Sequence, residues 1–217
     1  LVGSEMCIRD SRGKEYANDG GQRFINAPHF QPRTLEEAQS EAFRDGKMVA
    51  YYEGDGFTYA AGDASNCYSA EKLRRFVRHV IFVHDYPHKA AVSMLVIDDM
   101  ELAKPELTPR FLLHTMNEPK VSANHITAIH NGGRLTATVL QPQPHQITLI
   151  GGEGREFEVG GQNFPLNRKL GPAYTPGAWR AEVTPTTQSA KHRFVTLLVP
   201  ADITAPSEAE ATVSIEL

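Results

Sequence analysis

The sequence predicts an all-β protein, an antiparallel β-sandwich of stacked sheets with one short helix near its N-terminus. Three observations carry this. Residues 74–116 hold three apolar, β-branched-rich runs, RRFVRHVIFVH, AAVSMLVIDDMEL and TPRFLLHTM, joined by short connections with Pro and charge. That is the pattern of consecutive antiparallel strands. Further short apolar runs, separated by Gly, Pro and Asn, continue from there to residue 217. A strong helix-start signal occurs at one place, Thr34-Leu35-Glu36-Glu37.

Taken in order, residues 13–33 are polar and rich in Gly, Asn and Pro and read as loop. Within them NDGGQR (18–23) supplies the positive-φ positions of a tight turn. At Thr34 a capping box is expected. Its hydroxyl accepts from the amide three residues on, and Glu37 reaches back. The helix should run to about Arg44 and stop at Gly46. Runs 48–53 and 57–61 flank Gly54-Asp55-Gly56 and read as a hairpin, and 62–68 as a loop. In the next two runs Val80, Ile81, Phe82, Val83 and Val92, Met94, Leu95, Val96, Ile97 are apolar at successive positions. A half-exposed strand alternates, so these should be central strands covered on both faces, with the rest of the sheet added around them.

Downstream, a run at 125–130 meets Asn131-Gly132-Gly133, the strongest turn signal in the chain. Residues 134–140 alternate, with Leu135, Ala137 and Val139 on one face and Arg134, Thr136 and Thr138 on the other. Strands are expected at 145–150 and 155–159, then a long loop at 163–176. A strand at 177–184 puts Trp179, Ala181 and Val183 inward. Runs 192–199 and 212–217 complete the set.

Composition narrows the function. The chain has 217 residues and 41% hydrophobic content, enough for a substantial core. A net charge of -4 gives no electrostatic footprint for nucleic acid. No window has the apolar length of a membrane span. The two cysteines, Cys7 and Cys67, do not make a disulfide scaffold. Nine histidines invite a metal site, but the nearest pairs, His84 with His88 and His125 with His130, lack a carboxylate or cysteine at ligand spacing. No G-x-S-x-G, P-loop or paired-cysteine motif occurs, and GGEGREF (151–157) lies between strands, as a hairpin would. Arg74, Arg75 and Arg78 are expected to pair across strands with Asp98, Asp99 and Glu101. His114 falls in a buried run and reads as a hydrogen-bonded core histidine, and Trp179 as core. No row of exposed aromatic residues is apparent. On chemistry alone the chain is a β-sandwich without a self-contained catalytic site.

Residues 1–11, LVGSEMCIRDS, have neither strand nor helix period nor the layout of a signal peptide. They resemble translated sequencing-adaptor read-through. Residues 1–12 are therefore expected to be an artefactual or disordered tail, and 13–217 the natural β-sandwich region.

A series of strings then carries a family likeness: NDGGQR (18–23), TLEEAQ (34–39), GDASNCYS (62–69), RRFVRHVIFV (74–83), RFLLHTMNEP (110–119), GGRLTATVLQP (132–142) and PGAWRAEVTP (176–185). In order and spacing they resemble the C-terminal part of heparinase II/III-like polysaccharide lyases. The resemblance implies a bacterial, periplasmic or secreted enzyme with an N-terminal helical toroid followed by stacked antiparallel sheets. It implies β-elimination on uronic-acid polysaccharides such as heparin, heparan sulfate or alginate, so the partner is an acidic polysaccharide. A base takes the C5 proton of the uronate and an acid protonates the departing oxygen, roles that fall to Tyr and His.

In the family those groups, and the zinc-binding His and Asp of some members, lie upstream of the NDGGQR-like block. No catalytic or metal-ligating residue is therefore assigned to this chain. No cofactor is expected in it, and any zinc belongs to the upstream part. The one substrate-facing candidate is Arg23, because its loop follows closely on the active-site region. The alternative is a non-catalytic carbohydrate-binding or surface β-sandwich module, which an exposed aromatic row on one sheet would favour.

Overall fold

In a computed structural model, residues 33–40, 46–68, 70–84, 92–163 and 178–205 are described. Helix α1 (Leu35–Gln39) is followed by β1 (Lys47–Gly54), β2 (Phe57–Asp63), β3 (Leu73–Val83), β4 (Ser93–Leu102), β5 (Phe111–Thr115), β6 (Lys120–Ser122) and β7 (His125–His130). Then come β8 (Gly133–Gln141), β9 (His145–Gly151), β10 (Glu158–Val159), β11 (Gln162–Asn163), β12 (Trp179–Pro185) and β13 (Lys191–Asp202). Eight strands form one sheet in the order β1-β2-β3-β4-β13-β8-β7-β6, and β5-β12-β9 form a second. All of their pairings are antiparallel. The fold is an all-β sandwich, as the sequence predicts.

The core lies between the two sheets. Phe76, Val96, Met100, Ile126, Ala137, Val139, Phe194 and Leu198 of the large sheet join Phe111, Leu113, Ala181 and Val183 of the small one in a single buried cluster. Strand period explains who is in it. On β8 the buried residues are Ala137 and Val139, on the face read from the alternation. Ala181 and Val183 of β12 stand opposite Leu113 and Phe111 on one side and Leu149 and Ile147 on the other.

The helix-start signal is realised at Thr34, but the helix ends at Gln39, with Ser40 extended, short of the expected Arg44. Thr34 Oγ1 accepts from the Glu37 amide at 3.1 Å, while Glu37 Oε2 accepts from the amide of Arg33 at 2.6 Å, one residue before the cap. The hairpin turns on Asp55 and Gly56, the latter at φ 79°. Asn131 and Gly132, at φ 46° and 81°, form the two-residue β7–β8 turn. Both central residues at positive φ is the hairpin geometry that Asn-Gly satisfies at least cost. Residues 65–67, expected as loop, make a short 3-10 turn. The strand expected at 155–159 reduces to Glu158–Val159, paired with Gln162–Asn163 as a small hairpin. The expected strand at 212–217 lies outside the described residues.

Two long-range features differ from the local reading. Of the three runs at 74–116, only the first two pair with each other; the third, β5, joins the small sheet beside β12. The open side of β4 is taken by β13, with Phe194 opposite Asp98, Thr196 opposite Val96 and Leu198 opposite Met94. The connection before β5 contains Pro105 and Pro109, which cannot donate to a ladder, and the chain crosses between sheets there. By pairing, β3 and β4 are central in the sheet, but the expectation that their apolar runs are covered on both faces is corrected. Phe82 and Val92 are 39% and 40% exposed, Val80, Ile81, Val83, Met94, Leu95 and Ile97 are half-buried, and of the residues named from the sequence only Val96 is buried.

The Arg-rich start of β3 pairs with its neighbour as expected. Arg78 holds the fully buried Asp98 through two hydrogen bonds, Nε to Oδ1 at 2.6 Å and Nη2 to Oδ2 at 2.9 Å. Its guanidinium also sits over the Phe76 ring. Burial raises the Asp98 carboxyl above its ordinary range, and the Arg78 fork opposes that. Arg74 lies 3.7 Å from Glu101. Trp179 is half-buried rather than full core. A Cβ on Gly151 would collide with the Ala178 carbonyl and the Trp179 Cα, so a glycine there lets β12 and its indole close over the end of β9.

Candidate functional site

The sheet pairings bring chemistry-bearing residues together on the face of the large sheet turned away from the small one. Directly paired residues share a face. The two-residue turn sets Gly54 opposite Phe57, and therefore Tyr52 opposite Tyr59. Tyr59 in turn stands opposite Ile81, Ala61 opposite His79, and His79 opposite Ile97. Two residues further along, Asp99 pairs with Val77 and with Arg193.

Four adjacent strands thus present a diagonal chain. The Tyr59 hydroxyl is 2.9 Å from His79 Nδ1. His79 Nε2 is 3.6 Å from Asp99 Oδ2, and Arg193 Nε donates to Asp99 Oδ1 at 2.6 Å. Asp99 raises the Arg193 guanidinium above its ordinary range through this hydrogen bond and its charge.

Beside this chain sit three aromatic rings. Tyr52 and Phe57 have centroids 5.7 Å apart and tilted by 38°, and the Tyr59 ring lies nearly parallel to His79 at 6.1 Å. Gly54 makes the first pair possible, because a Cβ there would lie 2.5 Å from the Phe57 ring and 3.0 Å from that of Tyr52. Tyr52 is 58% exposed. Phe57 and Tyr59 are half-buried, so the three rings form a row by register in which Tyr52 alone is exposed. The residues are scattered over 28 positions of chain, from Tyr52 to His79, and only the turn register aligns them.

The ends of the strip carry charge. Lys47 faces Asp63, and Arg75, Glu101 and Lys191 form one cross-strand row. All four cations, Lys47, Arg75, Lys191 and Arg193, are exposed, while Asp63, Asp99 and Glu101 are half-buried. Asp63 accepts from both the amide and the hydroxyl of Ser65, at 2.9 and 2.5 Å. Those bonds first, then the nearby Arg75 and Lys47, hold its carboxyl below its ordinary range.

Other candidates resolve into internal pairing. On the outer side of the small sheet Arg180 donates to Glu182 at 2.8 Å and to the Glu158 carbonyl at 2.5 Å, and Arg110 lies 3.4 Å from Glu182. His114 stands opposite Arg180, half-buried. His84 is 3.4 Å from the Thr58 hydroxyl and His125 3.0 Å from that of Thr138. Among the described residues no three His, Cys, Asp or Glu side chains are grouped to hold a metal ion. A cavity of about 140 Å³, lined by residues that include Pro109, Pro185 and His192, is below the ~300 Å³ typical of a ligand pocket. No described helix is long and apolar enough to cross a membrane. Arg23 lies outside the described residues.

No protein-family profile matches the chain, and no curated protein matches it significantly. Solved structures do. A heparinase III superposes with a TM-score of 0.52 at 9% identity, over 78% of this chain and 23% of that one. The same gene product with methylated lysines gives 0.50 at 8% identity, over 72% and 21%. The chain therefore spans less than a quarter of their length. At such identity the likeness establishes the fold alone, a heparinase III-like arrangement of sheets.

Proposed function

We propose that this chain is the β-sheet region of a bacterial polysaccharide lyase that cleaves uronic-acid polysaccharides, of the heparin, heparan sulfate or alginate type, by β-elimination. The observation that carries this is the heparinase III fold over 78% of the chain. The ordered series of sequence blocks supports it independently. In this reading the proton-transferring Tyr and His, and any zinc, belong to a toroid upstream of residue 13. The region described here supports that toroid, and the chain alone is inactive. The parent enzyme is periplasmic or secreted, and Arg23 faces the substrate cleft. The test is the native DNA upstream of the Arg12 codon. The expected result is an in-frame helical region with Tyr and His candidates; a start codon there, or a chain without such histidines, overturns the proposal. For Arg23, the expected result of Arg23→Ala in the whole enzyme is weaker substrate affinity or slower turnover, and no change in either removes it from the cleft.

A non-catalytic carbohydrate-binding module is the second reading. The exposed Tyr52, beside the half-buried rings of Phe57 and Tyr59, favours it. The two readings part at chemistry: only the first yields an unsaturated sugar.

A further inference from the structure

We infer that the outward face of β1–β4 and β13 is a binding strip for an acidic oligosaccharide, with Tyr52, Phe57 and Tyr59 as the stacking platform and Lys47, Arg75, Lys191 and Arg193 as the anion-facing border. The inference deepens the carbohydrate reading above, on which the choice of a uronate-bearing ligand rests. The strip itself rests on geometry.

Three features select this ligand chemistry. The rings supply apolar faces next to directional polar groups. The Tyr52–Phe57 pair is adjacent to Tyr59, whose hydroxyl begins the hydrogen-bonded chain to His79, Asp99 and Arg193. A pyranose has the same character, with a C–H face and a hydroxyl edge, whereas an apolar partner would cover the polar chain without hydrogen-bonding to it and incur its desolvation. The charges are also layered. The four cations are exposed and the three carboxylates on the same face are recessed, so an approaching ligand meets positive charge first. Finally, length favours an oligomer. From the Tyr59 row to the Lys191 row is six residues of strand, about 20 Å at 3.3–3.4 Å per residue, longer than one sugar ring.

The test is calorimetric titration of this 217-residue chain with a uronate hexasaccharide from alginate and one from heparin, and with a neutral cello-oligosaccharide of the same length. The expected result is saturable binding of an acidic oligosaccharide, weaker at higher salt, and little or none of the neutral one. Tyr52→Ala should weaken binding ~10-fold, and Tyr52→Phe about twofold or less. Arg75→Gln with Lys191→Gln should weaken binding and flatten its salt dependence. Tyr52, Arg75 and Lys191 are exposed, so circular dichroism should show each variant folded.

Absence of saturable binding overturns the inference, as does binding that Tyr52→Ala leaves unchanged. Equal affinity for the neutral oligosaccharide overturns the acidic ligand. A dimer that Tyr52→Ala dissociates shows the strip to be a protein interface and also overturns it. Strip-dependent binding in a chain whose parent makes no unsaturated product leaves the strip standing and removes the lyase reading. Lyase activity in a parent whose affinity ignores Tyr52 removes the strip alone.

Discussion

The β1 edge and the β13-β8-β7 region of the eight-stranded sheet share one hydrogen-bonded ladder but carry their side chains differently. At the β13-β8-β7 end Phe194, Ala137, Val139 and Ile126 are at most 1% exposed, because the small sheet lies over them. At the β1 end Met48, Tyr51 and Tyr52 are 64%, 63% and 58% exposed. Backbone pairing is equally regular at both. The difference teaches that the second layer, not the ladder, concentrates the hydrophobic stabilisation. The hairpin beyond that layer keeps the large aromatic residues Tyr51 and Tyr52 exposed.

Substitutions should separate the two ends by size of effect. Phe111→Ala, inside the sandwich, should cost about 3–5 kcal/mol in urea unfolding. Arg78→Met should cost a similar ~3–5 kcal/mol at neutral pH, because it leaves the Asp98 carboxylate buried without its fork. That loss should shrink as pH falls. Burial already raises the Asp98 carboxyl, so protonation favours the folded state and the penalty fades as pH drops through its raised folded pKa. A loss that is constant with pH would contradict an ionised, stranded Asp98.

Smaller effects sharpen the contrast. Thr196 is 1% exposed and its hydroxyl has no hydrogen-bond partner among the described residues. Thr196→Val should therefore be neutral or stabilising by about 1 kcal/mol, read as a shift in the urea midpoint. Asp63 titrates in the opposite sense to Asp98. Its pKa is depressed in the fold, so its contribution is present above the unfolded value near 4 and lost as pH falls through the lower folded value. Asp63→Asn should flatten that acid limb of the stability curve. Tyr51→Ala and Tyr52→Ala should change stability by no more than about 0.5 kcal/mol. A loss several times larger would mean the hairpin is structural after all.

Legibility in the sequence follows the same division. The Thr34 cap, the Asn131-Gly132 turn and the alternation of 134–140 are local, and each is found where the pattern puts it, whereas the apolar runs of β3 and β4 are strands as expected but are not covered on both faces. Which sheet β5 joins, and that β13 lies beside β4, depend on partners far away in sequence, and periodicity carries no information about partners. The strip falls between these cases. Gly54-Asp55-Gly56 already implies a two-residue turn, and that register places Tyr52 opposite Tyr59 by counting alone. Extending the row to Asp99 needs only β3 and β4, but Arg193 needs the distant pairing. Read as linear strings, these residues show no row; read as registered strands, they do.

The measurement that tests the central claim most directly is an assay of the whole parent protein on heparan sulfate and on alginate, following the ultraviolet absorbance of the unsaturated uronate. A time-dependent rise on one of these polysaccharides is predicted. Chain cleavage without an unsaturated product, or no cleavage of any uronic-acid polysaccharide, would contradict the account.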